Sequence, residues 1–92
     1  MIRAFEWHRR RAVQNIIKHR VDFHDAWRVL LDPRAVTITS PRGNREVRFV
    51  TIGYSAHQGL LTVVHIERGD RIRLISARPA SRKERQDYEH AS

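Results

Sequence analysis

Cysteine is absent from this chain of 92 residues, which excludes both a disulfide framework and a thiolate metal site. No apolar run approaches the roughly 20 residues that a membrane-spanning helix needs, and the amino-terminal stretch holds no signal-peptide apolar segment. A soluble cytoplasmic protein is therefore expected. Metal-ligating patterns are missing as well. There is no His-Glu-x-x-His, no pair of histidines at ligand spacing and no group of Asp and Glu suited to magnesium. Neither a glycine-rich phosphate loop nor a Gly-x-Ser-x-Gly elbow occurs. Nothing reads as a helix-turn-helix, and no series of aromatics lies along a strand. Lysine is scarce too, since only Lys18 and Lys83 appear among the 18 Lys+Arg.

Arginine is what this chain has instead. With 10 Asp+Glu, the cations leave a formal charge of +8, which points to a polyanionic partner. The basic residues are spread along the chain rather than gathered on one amphipathic helix, so a membrane surface is the weakest of the polyanions. Guanidinium groups bind phosphate oxygens as planar forks and stay charged at physiological pH. They concentrate in Arg71-Ile72-Arg73-Leu74-Ile75-Ser76-Ala77-Arg78, a strand-like stretch followed by a basic segment that ends near Tyr88. A chain of this length forms one domain, 1–92, and buries about two-thirds of its unfolded surface.

Periodicity gives the elements. Residues 2–7 alternate apolar with charged, as in a short edge strand ending at Trp7. Ala12, Val13, Ile16 and Ile17 make an apolar stripe on a helix beginning at Arg9. Asp22 reads as the N-cap of a second helix, with Val21 placed to staple against Ala26. Phe23, Ala26, Trp27, Leu30 and Leu31 fall on one face of that helix, and Asp32-Pro33 ends it. Trp7 and Trp27 are read as core. Strands are expected over 35–39, 46–54, 60–67 and 71–77, parted by the turn cluster 40–44 and by short loops holding Gly59 and Gly69-Asp70. Ser81 and Glu84 form a capping box that opens a last helix to about Glu89. The order β-α-α-β-β-β-β-α describes an α+β domain, its two N-terminal helices packed on one face of an antiparallel sheet. The strand 60–67 is apolar on both faces, so the second face also needs cover. The short last helix is expected to shield little of it, and a partner chain the rest.

Phe5-Glu6-Trp7, Asn15, Lys18-His19, Phe23, Ala26, Asp32-Pro33, Glu46-x-Arg48-Phe49, Ile52-Gly53, the Arg-x-Arg-x-Ile-Ser-Ala-Arg element at 71–78 and Glu84-x-x-x-Tyr88 together resemble the BrnT toxins of bacterial type II toxin–antitoxin systems. The resemblance runs through nearly the whole chain in order, and the 71–78 element is its specific part. It implies a RelE-like fold and ribonuclease activity that blocks translation. It also implies neutralisation by a cognate BrnA-type antitoxin, through which the complex would reach DNA. Two positions depart from the family: His8 stands where Asp is usual, and Arg20 where a glycine usually follows Lys-His. The missing glycine removes the preferred left-handed cap of the first helix.

Cleaving RNA without a metal needs a base for the 2′-hydroxyl proton, cations for the phosphorane and an acid for the leaving oxygen. Arg48 and Arg78 are the first candidates to hold the scissile phosphate, against the alternative that each ends in an ion pair with Glu46 or Glu84. Arg71, Arg73 and Arg82 are candidates for tracking the RNA backbone, or else a solvated edge that discourages aggregation. His19 and Lys18 are acid or cation candidates, or partners of the helix dipole. Tyr88 could stack on a base, move a proton, or pack the last helix. Glu46 is a base only if the sheet buries it. His65, on a strand face with Leu61 and Val63, reads as a core histidine. Two rivals stay open: a non-enzymatic nucleic-acid-binding module, and a degenerate toxin that acts only as a partner of its antitoxin.

Overall fold

The computed structural model describes residues 4–40 and 47–91. The elements are β1 Ala4–Glu6, α1 Arg9–His19, α2 Phe23–Ala26 running into a 3₁₀ segment Trp27–Leu31, β2 Val36–Ser40, β3 Arg48–Ser55, β4 Gly59–Arg68, β5 Arg71–Pro79 and α3 Arg82–His90. The expected turn 41–44 and Glu46 lie outside the described residues. The five strands form one sheet in the order β1-β5-β4-β3-β2. β2 to β5 are antiparallel neighbours, as expected. β1 is not: it runs parallel to β5, pairing Ala4 with Arg71 and Glu6 with Arg73. The sheet is therefore mixed. A parallel neighbour needs a crossover, and here the whole middle of the chain supplies it. The strand also stops at Glu6, one residue before Trp7.

One sheet face packs on the helices. Its core is Val21, Phe23, Ala26 and Val29 against Leu61, Val63, Leu74 and Ala77, with Trp7 and Trp27 packed partly buried against it. Asp22 caps α2 by accepting the His24 N–H, and Val21 is buried beside it. The tightening into 3₁₀ geometry turns Val29 inward and leaves Leu31 exposed, because three residues per turn shift the apolar face. Gly53 sits beneath this segment. A Cβ there would come within 2.7 Å of a Val29 methyl, so the close approach needs glycine.

The apolar stripe of α1 is not where it was expected. Val13, Ile16 and Ile17 are 50%, 42% and 72% exposed, and the buried residue of the helix is Asn15. At about 100° per residue, the face carrying Ala12, Asn15 and His19 lies roughly a quarter turn from the stripe. Asn15 can be buried because its amide is fully used. Its Nδ2 donates to the carbonyls of Val21 and Ala77, and its Oδ1 accepts the Ala77 N–H.

The other, outer face is covered in part by α3. Ser81 and Glu84 form the expected capping box. Glu84 also accepts from Thr62 on β4, while the Tyr88 hydroxyl donates to Asp32 before β2, so the helix is pinned at both ends. Ile52 and Leu60 on this face are buried without any partner chain, more cover than the helix's length suggested. Ile38, farther along β2, is 57% exposed.

Candidate functional site

The arginines of β5 share one face only because the strand is irregular. Leu74 pairs with His65 and Ser76 with Val64, so Ile75 is an extra, bulged residue. In a regular strand Arg73 and Arg78, five residues apart, would point to opposite faces. The bulge brings both to the outer face. Arg48 of β3 joins them there. Continuing the register of Phe49 with His65 by one residue sets Arg48 opposite Ile66, whose other neighbour is Arg73. Two strand spacings then separate the Arg48 and Arg73 backbones, about 10 Å.

Parallel pairing with β1 adds a carboxylate and an imidazole. Glu6 lies beside Arg73, which donates to its Oε2 from Nε at 3.0 Å, with Nη2 in ion-pair contact with the same oxygen at 2.9 Å. Arg71 reaches Oε1 at 3.3 Å. His8 Nε2 is 3.2 Å from Arg73 Nη1, and since a guanidinium only donates, this ring nitrogen is the acceptor. The hydrogen bonds from Arg73 hold the Glu6 carboxyl below the ordinary glutamate value, with Arg71 adding to the effect. Glu6 is thus ionised at neutral pH. Arg73 keeps donors uncommitted, Arg71 is largely exposed, and the Arg48 side chain has no partner among the described residues. The outer face therefore offers an ionised carboxylate, an imidazole and two guanidinium groups at the β1–β5 edge, with Arg48 about 10 Å away across β4.

The remaining candidates lie elsewhere. Arg78 is committed to Glu84 in a two-pronged ion pair, with Nη1–Oε1 at 2.7 Å and Nη2–Oε2 at 2.8 Å. That pair, with the Ser81 N–H and Thr62, lowers Glu84 to about 2. Tyr88 lies 2.6 Å from Asp32 Oδ2, and this bond raises the phenol above its ordinary value, so it stays protonated. Burial pushes the Asp32 carboxyl up. The Tyr88 hydroxyl and the N–H groups of Arg34 and Tyr54 outweigh that effect and hold it low. Lys18 and His19 stand at the end of α1, on the helix side of the sheet, away from Arg48 and Arg73. Arg82 is exposed at the start of α3. Glu46 lies outside the described residues. His65 is the core histidine expected, with Nε2 2.8 Å from the Thr51 hydroxyl and its ring stacked on Phe49.

Glu6 and His8, which contact Arg73, were not among the candidates the sequence offered. Alternation over 2–7 does put Glu6 on the polar face of an edge strand, but its pairing with a strand some 65 residues away leaves no local signal. His8 was visible only as a departure from the resembling family.

The fold and this surface define a class: a small, strongly basic α+β domain that presents ionisable groups on an open sheet face. The chain belongs to the family described as ribonuclease toxin, BrnT, of type II toxin–antitoxin system, whose model matches residues 7–84. Among solved structures, the Brucella abortus ribonuclease toxin BrnT is similar, with a TM-score of 0.66 and 24% identity, over 87% of this chain and 99% of that one. At that identity the likeness speaks for the fold. A comparison with curated proteins finds no match.

Proposed function

We propose that this chain is a RelE-like endoribonuclease toxin that cuts RNA by 2′-hydroxyl attack without a metal. By this reading it blocks translation in the cytoplasm and is neutralised by a BrnA-type antitoxin. The observation that supports the reading is the cluster of Glu6, His8, Arg71 and Arg73 on the outer face, which Arg48 shares from across β4. The scissile phosphate sits against Arg73, Arg71 and Arg48, which take up the charge of the phosphorane. The Glu6 carboxylate accepts the 2′-hydroxyl proton as the 2′-oxygen–phosphorus bond forms. The bond from phosphorus to the 5′-oxygen breaks, and His8, released from Arg73 when phosphate takes its place there, passes a proton to that oxygen. The products are a 2′,3′-cyclic phosphate and a 5′-hydroxyl. Lys18 and Arg82 steer the RNA backbone from outside the cluster. Arg78 and Tyr88 reach a substrate only by leaving Glu84 and Asp32, so in this reading they shape the face rather than act on it. His19, on the helix side, takes no step.

The antitoxin is expected on α1. That helix carries Arg9, Arg10, Arg11 and Lys18 with no acidic residue, beside the exposed Val13–Ile17 stripe. An acidic amphipathic segment matches both features. DNA would be reached only through the antitoxin.

An RNA oligonucleotide with one 2′-deoxy sugar at the mapped cleavage position tests the mechanism. In excess EDTA the all-ribose strand should be cut and the substituted strand should be inert at that position. Cutting of both, or loss of all cutting on chelation, contradicts it.

A further inference from the structure

The two edges of the sheet are finished differently. β1 is three residues long and ends in Glu6, whose carboxylate is tied to Arg71 and Arg73. A short, charged edge of that kind discourages further pairing. β2 closes the other side, and among the described residues no strand pairs with its outer edge. Its five residues, Val36-Thr37-Ile38-Thr39-Ser40, hold no charge and no proline, and the first four are β-branched. All five pair with β3 in unbroken register, so no bulge twists the strand away. Alternate N–H and C=O groups of β2 therefore face outward in an even row.

Apolar side chains stand beside this row on both sheet faces. Ile38 is 57% exposed on the outer face. On the helix side Leu31, 60% exposed, lines one cleft with Ala35 and Thr37. The surroundings are basic. Residues 33–48 include Arg34, Arg42, Arg45 and Arg48 against a single acid, Glu46. Arg34 is exposed just before the strand, and Arg48, also exposed, pairs with Ser40 at its far end. The Asp32 carboxylate is already engaged by the N–H groups of Arg34 and Tyr54 and by the Tyr88 hydroxyl. Two copies of the chain meeting here would press their arginines together, so a second copy does not suit the edge. A strand with acidic ends does.

We propose that the outer edge of β2 takes an extended segment of a second protein chain as the sixth strand of the sheet. That segment is apolar at its centre and acidic at its ends. Main-chain hydrogen bonds to β2 supply the affinity, and alternate side chains supply the choice of partner. Those on one face lie beside Ile38, and those on the other beside Thr37 and Leu31. The end carboxylates meet Arg34 and Arg48. Neither the ribonuclease reading nor docking on α1 is needed for this. The helix α1 is held to β5 through Asn15 and Ala77, three strands from β2.

The test uses the whole chain and a synthetic peptide of alternating Val and Thr with paired glutamates at each end. Amide hydrogen exchange in β2 is followed by NMR. With the peptide at about ten times its Kd, the outward amides of β2 should exchange roughly tenfold more slowly. Those of β1 and α1 should be unchanged. Methylating every central peptide nitrogen should abolish the protection, because the row of bonds is lost. Replacing the glutamates by lysines should weaken binding about tenfold. Ile38→Asp, at an exposed site, should also weaken it, by setting a carboxylate against an acidic strand. Arg34→Glu does the same from the preceding turn and serves if the first variant fails to fold. No protection at millimolar peptide, equal binding of the methylated or lysine-ended peptide, or undiminished binding by both variants would overturn the proposal. Protection that rises with protein concentration alone would give the edge to a second copy, and protection by poly(U) would give it to RNA. Either result overturns the choice of occupant.

Discussion

Arg20 holds a backbone position that suits another residue. Its φ is 61° and its N–H closes α1 onto the Ile16 carbonyl, the left-handed cap that glycine usually provides. The loop after α1 thus keeps its shape despite the arginine, at the cost of a Cβ in a crowded conformation. Arg20→Gly should raise stability by about 0.5–1 kcal/mol once the greater freedom of unfolded glycine is deducted, read as a higher melting temperature. Glu84 makes a second residue-scale prediction. Its folded value of about 2 lies below its ordinary 4.5 because Arg78 grips the charged form. The stabilisation is therefore complete above pH 4.5 and is lost as pH falls towards 2. Discounted for the partial exposure of Arg78, it amounts to about 1–2 kcal/mol. Glu84→Gln should remove that part of the acid slope in urea melts at successive pH values. At this scale the sequence was informative where the partner is close by, as with Ser81 and Glu84, or Asp22 and its cap. It was silent where the partner is remote, as with Asn15 and Ala77, or Tyr88 and Asp32.

At the scale of elements, helices and hairpins were legible because their signals are local. The second helix became partly 3₁₀, which no residue pattern announced, and Val29 was missed as core for that reason. The pairing of β1 with β5 depends on how the intervening helices pack, and the bulge at Ile75 depends on cross-strand fit; neither leaves a period in the chain. The stripe on α1 was legible as a stripe and misleading as core. Helical periodicity reports that apolar residues share a face, not that this face turns inward, and Asn15 won the inward position through three hydrogen bonds. Ile17→Glu tests the meaning of the stripe. It should change stability by no more than about 0.5 kcal/mol, as at other exposed sites. It should abolish co-purification with the co-expressed antitoxin if that partner docks on α1. An intact complex would move the interface elsewhere.

For the whole molecule, the sheet divides two kinds of chemistry. The outer face gathers cations with the carboxylates of Glu6 and Glu84 and the His8 imidazole, while the helix side carries the core and the exposed stripe of α1. Arg71 and Arg73 share a carboxylate while Arg48 lies across β4 on the same face, Arg78 is held by Glu84 and Tyr88 by Asp32, and the acid–base pair of the proposal comes from β1 and the residue before α1. A charge of +8 on so small a body draws RNA to either face, so binding alone says little about which face cuts. The most direct measurement is the rate of cleavage of a labelled RNA in excess EDTA by the wild type, Glu6→Gln and His8→Ala, prepared identically. The account predicts metal-free scission by the wild type and a loss of 10²-fold or more in each variant, about the share of one proton-transfer group, with RNA binding retained. Undiminished scission by both variants would contradict it and move the chemistry off the β1–β5 edge.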